Sequence, residues 1–554
     1  MDDIYFVRDP IFEDGPAALN DRKVGTEVLR VTLAGNFGLG HYLGVFSSGS
    51  FDAEAGGIRH DFGGGDELLR LEIDPGDTGR IFLQWNDQFG ASGNDYDLCV
   101  RGTNGALLTC STGAQEGTDD PFEGVILSCP ASEPAPCAVD AQITLFHGLS
   151  RFVVLYCDGC RFTEFNDPSF SIFGHQAVPE VLTVAAAPAT DPGTIEPYSS
   201  GGPVTIFFPT VEIRSKPDLT GIDCVATSRP EWNPFCGTSA AAPHVAAVAA
   251  ILLQRMGPDT SVRALSGALT ATATDLGRPG YDFTFGFGRA DALTAVQSPL
   301  LEPTALAAVL PTSRSIEVGA TANVFAAIAN AGFITARGCG VAPVTNLPGT
   351  FAFQTTDPAT NVVTGSPNTP VSITGRALQT YVLAFTPTAP FPPTEVQLSF
   401  TCANSPPAVI FPGLNTVLLS ASSTPVPDII ALAATLDSDG IVNIAGTDGS
   451  GVFAVATVNV GAGGGIMASA DTGATALPVG LAICETNPGT GACLAPPSPT
   501  VTTTINAGAT PTFGVFVTGA GTVPFAPALN RVFVRFKDAG AVTRGATSVA
   551  VRTQ

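Results

Sequence analysis

The chain has 554 residues with 49 acidic and 25 basic side chains, a formal charge of −24, and that length predicts several domains. Charged residues make up 13% against about 25% in ordinary soluble proteins, while 45% are hydrophobic; this excludes a disordered acidic chain, which combines charge with low hydrophobicity. The shortage of Lys and Arg argues against nucleic-acid binding and against docking on anionic membranes.

The acidity is uneven. Residues 1–173 hold 27 acidic and 10 basic side chains, residues 174–300 hold 11 and 7, and residues 301–554 hold 11 and 8. The last stretch, rich in Ala, Thr, Val, Gly and Pro, suits β-sandwiches better than helical bundles.

In chain order, Val31-Thr32-Leu33-Ala34-Gly35-Asn36 reads as a short buried strand ending in a turn. From residue 41 to 173 apolar and polar residues alternate, as in Leu68-Leu69-Arg70-Leu71-Glu72-Ile73 and Arg80-Ile81-Phe82-Leu83-Gln84-Trp85. Turn clusters such as Asp74-Pro75-Gly76-Asp77 separate these runs, which predicts a β-sandwich. It is also the most acidic segment, with 20 acidic and 6 basic residues. A solvated acidic face explains this charge. The other explanation is calcium, with Asp87, Asp95 and Asp97 as oxygen ligands, although no calcium-loop pattern is matched.

A second strand is expected over Val181–Ala187, followed by Ser199-Ser200-Gly201-Gly202-Pro203 and Lys216-Pro217-Asp218. Then comes Gly237-Thr238-Ser239-Ala240-Ala241-Ala242-Pro243-His244-Val245-Ala246, running on through Leu253. Gly237 permits a tight approach, and Ser239 falls where free N–H groups and the positive end of a helix dipole converge. An oxyanion on a substrate carbonyl is stabilised at such a point. Pro243 removes the donor for the Ser239 carbonyl, so the first turn is irregular. Beyond it the helix is apolar all round, which predicts burial on every side. Taken alone, Gly-Thr-Ser equally fits an N-cap on a buried Ala-rich helix.

The ten-residue string closely resembles the nucleophile motif of subtilisin-like serine peptidases (subtilases, family S8). The resemblance implies that Ser239 attacks the scissile carbonyl and that Asn36, at the end of Ala34-Gly35-Asn36, supplies the oxyanion-hole side chain. It further implies an α/β parallel-sheet core, with closing helices in Val262–Thr270 and Gly286–Ala295; no cofactor is required, and structural calcium is an option rather than a need. Sedolisins share Gly-Thr-Ser but place Asp in the oxyanion hole; Asn36 and Pro243-His244-Val245-Ala246 favour the subtilase branch. Asn94-Asp95-Tyr96-Asp97-Leu98 resembles a strand of the small β-sandwiches attached to many secreted peptidases.

The family places Asp and His before the oxyanion Asn. The 35 residues preceding Asn36 contain no histidine, and Asp2, Asp3, Asp9, Asp14 and Asp21 lack the family context. His41, His60, His147 and His175 fall in other segments, and His244 lies about 140° round the helix from Ser239. A triad His and Asp are therefore not found, and the chain as given is expected to be nearly inactive. Met1–Asn20 reads as the middle of a domain, so a front bearing the Asp and His is expected to be missing, and with it a signal peptide. The alternative is a non-catalytic extracellular binding or adhesion protein on a degenerate peptidase scaffold.

Twelve cysteines fall into six neighbouring couples: Cys99/Cys110, Cys129/Cys137, Cys157/Cys160, Cys224/Cys236, Cys339/Cys402 and Cys484/Cys493. That spacing predicts disulfides and an extracellular location. The rival is zinc at Cys157-Asp-Gly-Cys160, which lacks a second ligand pair. No stretch reaches the roughly 20 apolar residues of a membrane span.

After Pro299 two halves echo one another. Thr356-Asp357-Pro358-Ala359-Thr360 is answered by Thr486-Asn487-Pro488-Gly489-Thr490, and Val396-Gln397-Leu398-Ser399-Phe400 by Val532-Phe533-Val534-Arg535-Phe536. Two tandem Ig-like sandwiches are expected, for surface or polymer attachment, substrate presentation or spacing.

The expected organisation is multidomain: an incomplete subtilisin-like α/β core in 1–40 and 174–300, interrupted by a β-sandwich in 41–173 and followed by all-β Ig-like sandwiches in 301–425 and 426–554. The expected partner is a protein or peptide substrate.

Overall fold

The computed structural model describes residues 29–554; the five early aspartates and the Met1–Asn20 segment lie outside them. The chain divides into two compact units, Met1–Pro299 and Leu300–Gln554. All twelve cysteines are paired, in the six couples that the spacing suggested. The Cys157–Cys160 bond disposes of the zinc reading at that motif.

In the first unit a three-stranded parallel sheet is built from β1 (Val31–Leu33), β2 (Leu182–Pro188) and β3 (Leu219–Asp223), in the order β1-β2-β3. β2 is the middle strand, and Leu182 through Ala187 are all buried, as a continuous apolar run in a parallel sheet should be. Its N-terminal end is pinned by the buried Lys216, whose Nζ donates to Asp218 Oδ2 at 2.7 Å and to the Val181 carbonyl. Asp218 Oδ2 also accepts from Thr183 N at 2.7 Å.

Helix α1 (Thr238–Met256) lies against all three strands. Ala241, Val245, Ala249, Leu252 and Met256 form its buried stripe, at the i, i+3, i+4 spacing of one helical face. Gly221 on β3 makes the approach possible, since a Cβ there would sit 2.5 Å from the Ala241 carbonyl oxygen. Burial on every side, the expectation from sequence, does not hold. Ala246, Ala247, Ala250 and Ile251 are exposed, because the described sheet is a single layer against one face.

Helix α2 (Val262–Ala271) is capped by Ser261, which accepts from Ala264 N. The second closing helix, α3 (Ala292–Gln297), starts later than expected, with Asp291 accepting from Thr294 N. The preceding residues pair instead with Thr220 and Thr274 through Arg289.

Between β1 and β2 stand two further sheets. One has seven strands, with Cys137–His147 pairing Leu69–Ile73, Gly57–His60 and Asp95–Gly102; the other has four, in the order His41–Val45, Phe152–Asp158, Thr78–Trp85, Phe122–Ser128. Alternate residues of facing strands fill one core, including Leu69, Leu71, Ile81, Leu83, Trp85 and Leu98. Each such side chain contributes about 1.5–3 kcal/mol on full burial.

The second unit holds two sandwiches with the same strand order. In the first, Ala305–Leu310, Ala322–Asn330, Leu378–Pro387 and Gly349–Thr356 form one sheet; Ser313–Glu317, Thr416–Ser422, Phe391–Thr401, Ala336–Pro343 and Val371–Ile373 form the other. In the second, Ile429–Thr435, Ser450–Asn459, Thr512–Gly519 and Val479–Thr486 correspond to the first sheet. Ile441–Ile444, Thr543–Thr553, Arg531–Asp538, Gly464–Asp471 and Thr500–Ile505 correspond to the other. Each sandwich contains one parallel pair at the equivalent place. The echoing segments 356–360 and 486–490 begin on the last residue of equivalent strands, and 396–400 and 532–536 lie within equivalent strands.

Candidate active site

The turn before α1 is locked by three side chains. Gly237, with φ 114°, occupies a conformation that favours glycine. Its N–H donates to Asp223 Oδ2 at 2.9 Å and to the Tyr198 hydroxyl at 3.2 Å, and that hydroxyl itself donates to Asp223 Oδ2. Asp223, at the end of β3, is fully buried. Its neighbour Glu196 has its pKa raised by burial, by the charge of Asp223 and by a hydrogen bond with it. The two carboxyls and Cys224 form the group that could hold a metal among the described residues, but the Cys224 sulfur is tied up with Cys236 and offers no thiolate.

Asn36 follows the end of β1 and faces this turn. Its Oδ1 accepts from Thr238 N at 3.0 Å and from Thr238 Oγ1 at 2.8 Å. Thr238 Oγ1, fully buried, in turn accepts from Gly35 N at 3.3 Å. With the carbonyl side of the amide bound to two donors, the orientation of Asn36 is fixed and Nδ2 is left as its free donor. Ser239 is exposed and makes no hydrogen bond among the described residues. Nor does it cap the helix: the N-cap is Gly237, with no side-chain cap.

Asn36 and Ser239 line one cleft of about 590 Å³ with Phe173, His175 and Tyr198. The 41–173 sandwich contributes Glu72, Asp74, Asp77, Asp158 and Arg161 to its wall. Asn36 and Ser239 thus bring an oriented amide and an exposed hydroxyl to one cavity, two of the parts of nucleophilic acyl transfer, without the base that would activate the hydroxyl.

Residues 94–288 match the Subtilase family of peptidases. The matched stretch is about a third of the chain; it includes Ser239 and leaves Asn36 outside. Two curated relatives, both described as "Extracellular serine protease" from Serratia marcescens, are 46% identical over 70 residues and 41% identical over 73. Each match covers 13% of this chain and 7% of the relative, so the chain spans only a small part of the proteins it matches. Among solved structures, the Clostridium perfringens CspB protease is similar over 52% of this chain and 65% of that one, at 16% identity and a TM-score of 0.34, too slight a likeness to carry an argument.

In the subtilase segment and around it, none of the five histidines hydrogen-bonds Ser239. His41 and His60 are buried in the first unit; burial brings each pKa down to about 4, against the raising effect of backbone hydrogen bonds. His244 bonds the Ala240 carbonyl one turn back. His147 lies on the sandwich, opposite Asp95. His175 lines the cleft, but its Nε2 contacts Thr32 Oγ1 at 3.1 Å, and burial lowers its pKa.

The three aspartates singled out in the sandwich are not equivalent. Asp87 is engaged by Arg151 Nε at 2.6 Å, Asn94 Nδ2 at 2.6 Å and Ser92 Oγ at 3.0 Å. Burial raises its pKa, and these donors outweigh burial to hold it below the usual range. Asp95 and Asp97, two apart on one strand, instead share a face near Glu123. Sequence reasoning missed Thr238, Tyr198, Asp223 and Glu196. Only Thr238 was signalled, by its place in Gly-Thr-Ser.

Proposed function

We propose that this chain is the nucleophile-bearing part of a secreted subtilisin-like serine endopeptidase, with Ig-like modules in its tail for surface or polymer contact. Ser239 Oγ attacks the scissile carbonyl, its proton passes to a base, and the leaving amine departs with a proton as the acyl-enzyme forms; water then releases the acid. Asn36 Nδ2 and the Ser239 N–H hold the oxyanion. The observation that carries this reading is the Thr238 clamp on Asn36 Oδ1, which turns the amide donor toward the cleft that Ser239 lines. A donor so placed contributes roughly 10²–10³ in turnover, a magnitude established on a subtilisin. Six disulfides and the extracellular description of the Serratia relatives support secretion. Among the described residues no helix is long and apolar enough to cross a membrane.

No histidine bonds Ser239 among the described residues, so its hydroxyl has no activating base there, and the chain alone is expected to turn over only very slowly. Loss of the base costs roughly 10⁶ in turnover, again a subtilisin value. The test is labelling by a fluorophosphonate, compared with Ser239→Ala. Very slow labelling that disappears in the variant is expected. Rapid Ser239-dependent labelling overturns the inactivity, and labelling that survives Ser239→Ala overturns the nucleophile. The same absence of a base among the described residues favours a second reading, an extracellular binding protein on this scaffold, for which no Ser239-dependent labelling occurs at all.

A further inference from the structure

The carboxylate that holds the nucleophile turn is itself only half satisfied. Asp223, fully buried at the end of β3, accepts at Oδ2 from Gly237 N at 2.9 Å and from the Tyr198 hydroxyl. Its Oδ1 is buried with no hydrogen-bond donor among the described residues. A buried acceptor left bare is costly, and a buried carboxylate without a base is more so. No ion pair supplies one. Lys216, Arg214 and Arg289 are engaged by Asp218, Glu212 and the Pro192 carbonyl, and none reaches Asp223 or Glu196 among the described residues.

The group beside Asp223 is a second carboxyl. Glu196 lies on the loop after β2, where its N–H donates to the Ala186 carbonyl and its own carbonyl accepts from Ser199 N, each at 2.9 Å. Both bonds tie its backbone to the segment around the central strand. A carboxyl oxygen of Glu196 and one of Asp223 lie within 4.8 Å of each other, and the two side chains are in hydrogen-bonding contact. Two ionised carboxylates are acceptors only and cannot bond each other without a proton between them. One proton on Glu196 turns its hydroxyl into the donor that Asp223 Oδ1 lacks. Burial, the charge of Asp223 and the bond to it all raise the Glu196 pKa, the direction this arrangement requires. Tyr198 is the other titratable group against the pair; burial, Asp223 and Glu196 hold its pKa above the ordinary value, so it stays a donor.

We propose that Glu196 is a positioning residue for the nucleophile turn, its carboxylic acid donating to Asp223 Oδ1 so that the acid–carboxylate pair holds the Gly237 N–H and, through it, the start of α1. The links join three segments distant in sequence: the loop after β2, the end of β3 and the turn at Gly237. The Cys224–Cys236 disulfide closes the same turn, through the residues next to Asp223 and Gly237. When Glu196 gives up its proton two carboxylates face each other, and the hold on Gly237 weakens. The consequence for Ser239 rests on the peptidase reading; the hydrogen-bond scheme does not.

The experiment is thermal unfolding of the full chain, Glu196→Gln and Glu196→Ala between about pH 4 and 8. The glutamine amide donates to Asp223 Oδ1 and has no proton to lose. Because the folded pKa of Glu196 is raised, its contribution is present at low pH and lost as pH rises through that value. Glu196→Gln should therefore match the chain near pH 4 and exceed its Tm increasingly as pH rises. Glu196→Ala strands Oδ1 and should fall below Glu196→Gln by roughly 2–10 °C at every pH. Adding Asp223→Asn should remove the pH-dependent part of the difference. Equal Tm losses in Glu196→Gln and Glu196→Ala overturn the proposal, as does a difference between the chain and Glu196→Gln that is the same at both ends of the range. Ser239-dependent fluorophosphonate labelling should survive Glu196→Gln and drop by up to ~10²-fold in Glu196→Ala. If the chain itself shows no such labelling, the peptidase reading fails, and the Tm comparison still decides the role of Glu196.

Discussion

The two residues at the start of α1 should respond very unequally to truncation of their hydroxyls. Thr238 Oγ1 is fully buried, donates to Asn36 Oδ1 and accepts from Gly35 N. Thr238→Val keeps the shape and removes both bonds. The lost bond to Asn36 costs about 1 kcal/mol, and the stranded Gly35 N–H a further ~1–3 kcal/mol, giving about 2–4 kcal/mol. Ser239 is exposed and makes no hydrogen bond among the described residues, so Ser239→Ala should change stability by about 0.5 kcal/mol or less. Differential scanning calorimetry reads the contrast, since each kcal/mol moves Tm by roughly 2–4 °C in a domain of 150–250 residues. A serine kept for structure would reverse the order. If Ser239→Ala lowers Tm as much as Thr238→Val does, Ser239 is a helix cap and the argument that it is free to attack fails.

Two more outcomes follow from the charges and cross-links. Asp97 has a folded pKa near 7, above its unfolded value, so the folded state binds the extra proton between about pH 4 and 7. Stability from this group is therefore present at low pH and falls as pH rises through that window. Asp52 has the opposite sign: burial raises its pKa, but bonds from Gln142, the Ala55 and Glu54 backbone and Arg59 hold it below the usual range, so its contribution is lost as pH falls below about 4. His41 and His60, with pKa values lowered to about 4, act with the opposite sign in the same window, so the test is the Tm difference between the chain and Asp97→Asn: a difference that does not change between pH 4 and 7 would contradict the Asp97 assignment. In the tail, Cys339–Cys402 spans 63 residues and Cys484–Cys493 only 9. Loop-closure entropy predicts losses of about 4 and about 2.5 kcal/mol when each pair is replaced by serine, so equal Tm losses would count against an entropic origin.

What the sequence disclosed was whatever is encoded locally. The nucleophile turn is legible because Gly237, Ser239 and Pro243 each carry a backbone preference within a few residues. The β-rich character of 41–173 is legible because a period of two survives in single strands such as Leu69–Ile73. The clamp on Asn36 was not, since Thr238 lies 202 positions away and nothing in either neighbourhood names its partner. The same holds for Tyr198 and Asp223 beneath Gly237. The one-sided burial of α1 was hidden for another reason: an Ala-rich helix has no polar face to show which side meets the sheet.

The acidity of 41–173 illustrates how far net charge can mislead about position. Read as a sum, it describes a surface facing water. The structure places five of the twenty acids in the interior, Asp52, Asp87, Asp97, Glu123 and Asp140, where a carboxylate must find a partner or give up its charge. With six arginines already committed, the excess cannot be neutralised from within. Asp97 and Glu123 are where the shortfall falls, on either side of a loop bearing an unpartnered amide oxygen. An imbalance that looks like solubility in the sequence is thus, at this one place in the fold, a cost of buried charge, met by neutral donors at Glu123 and by a raised pKa at Asp97.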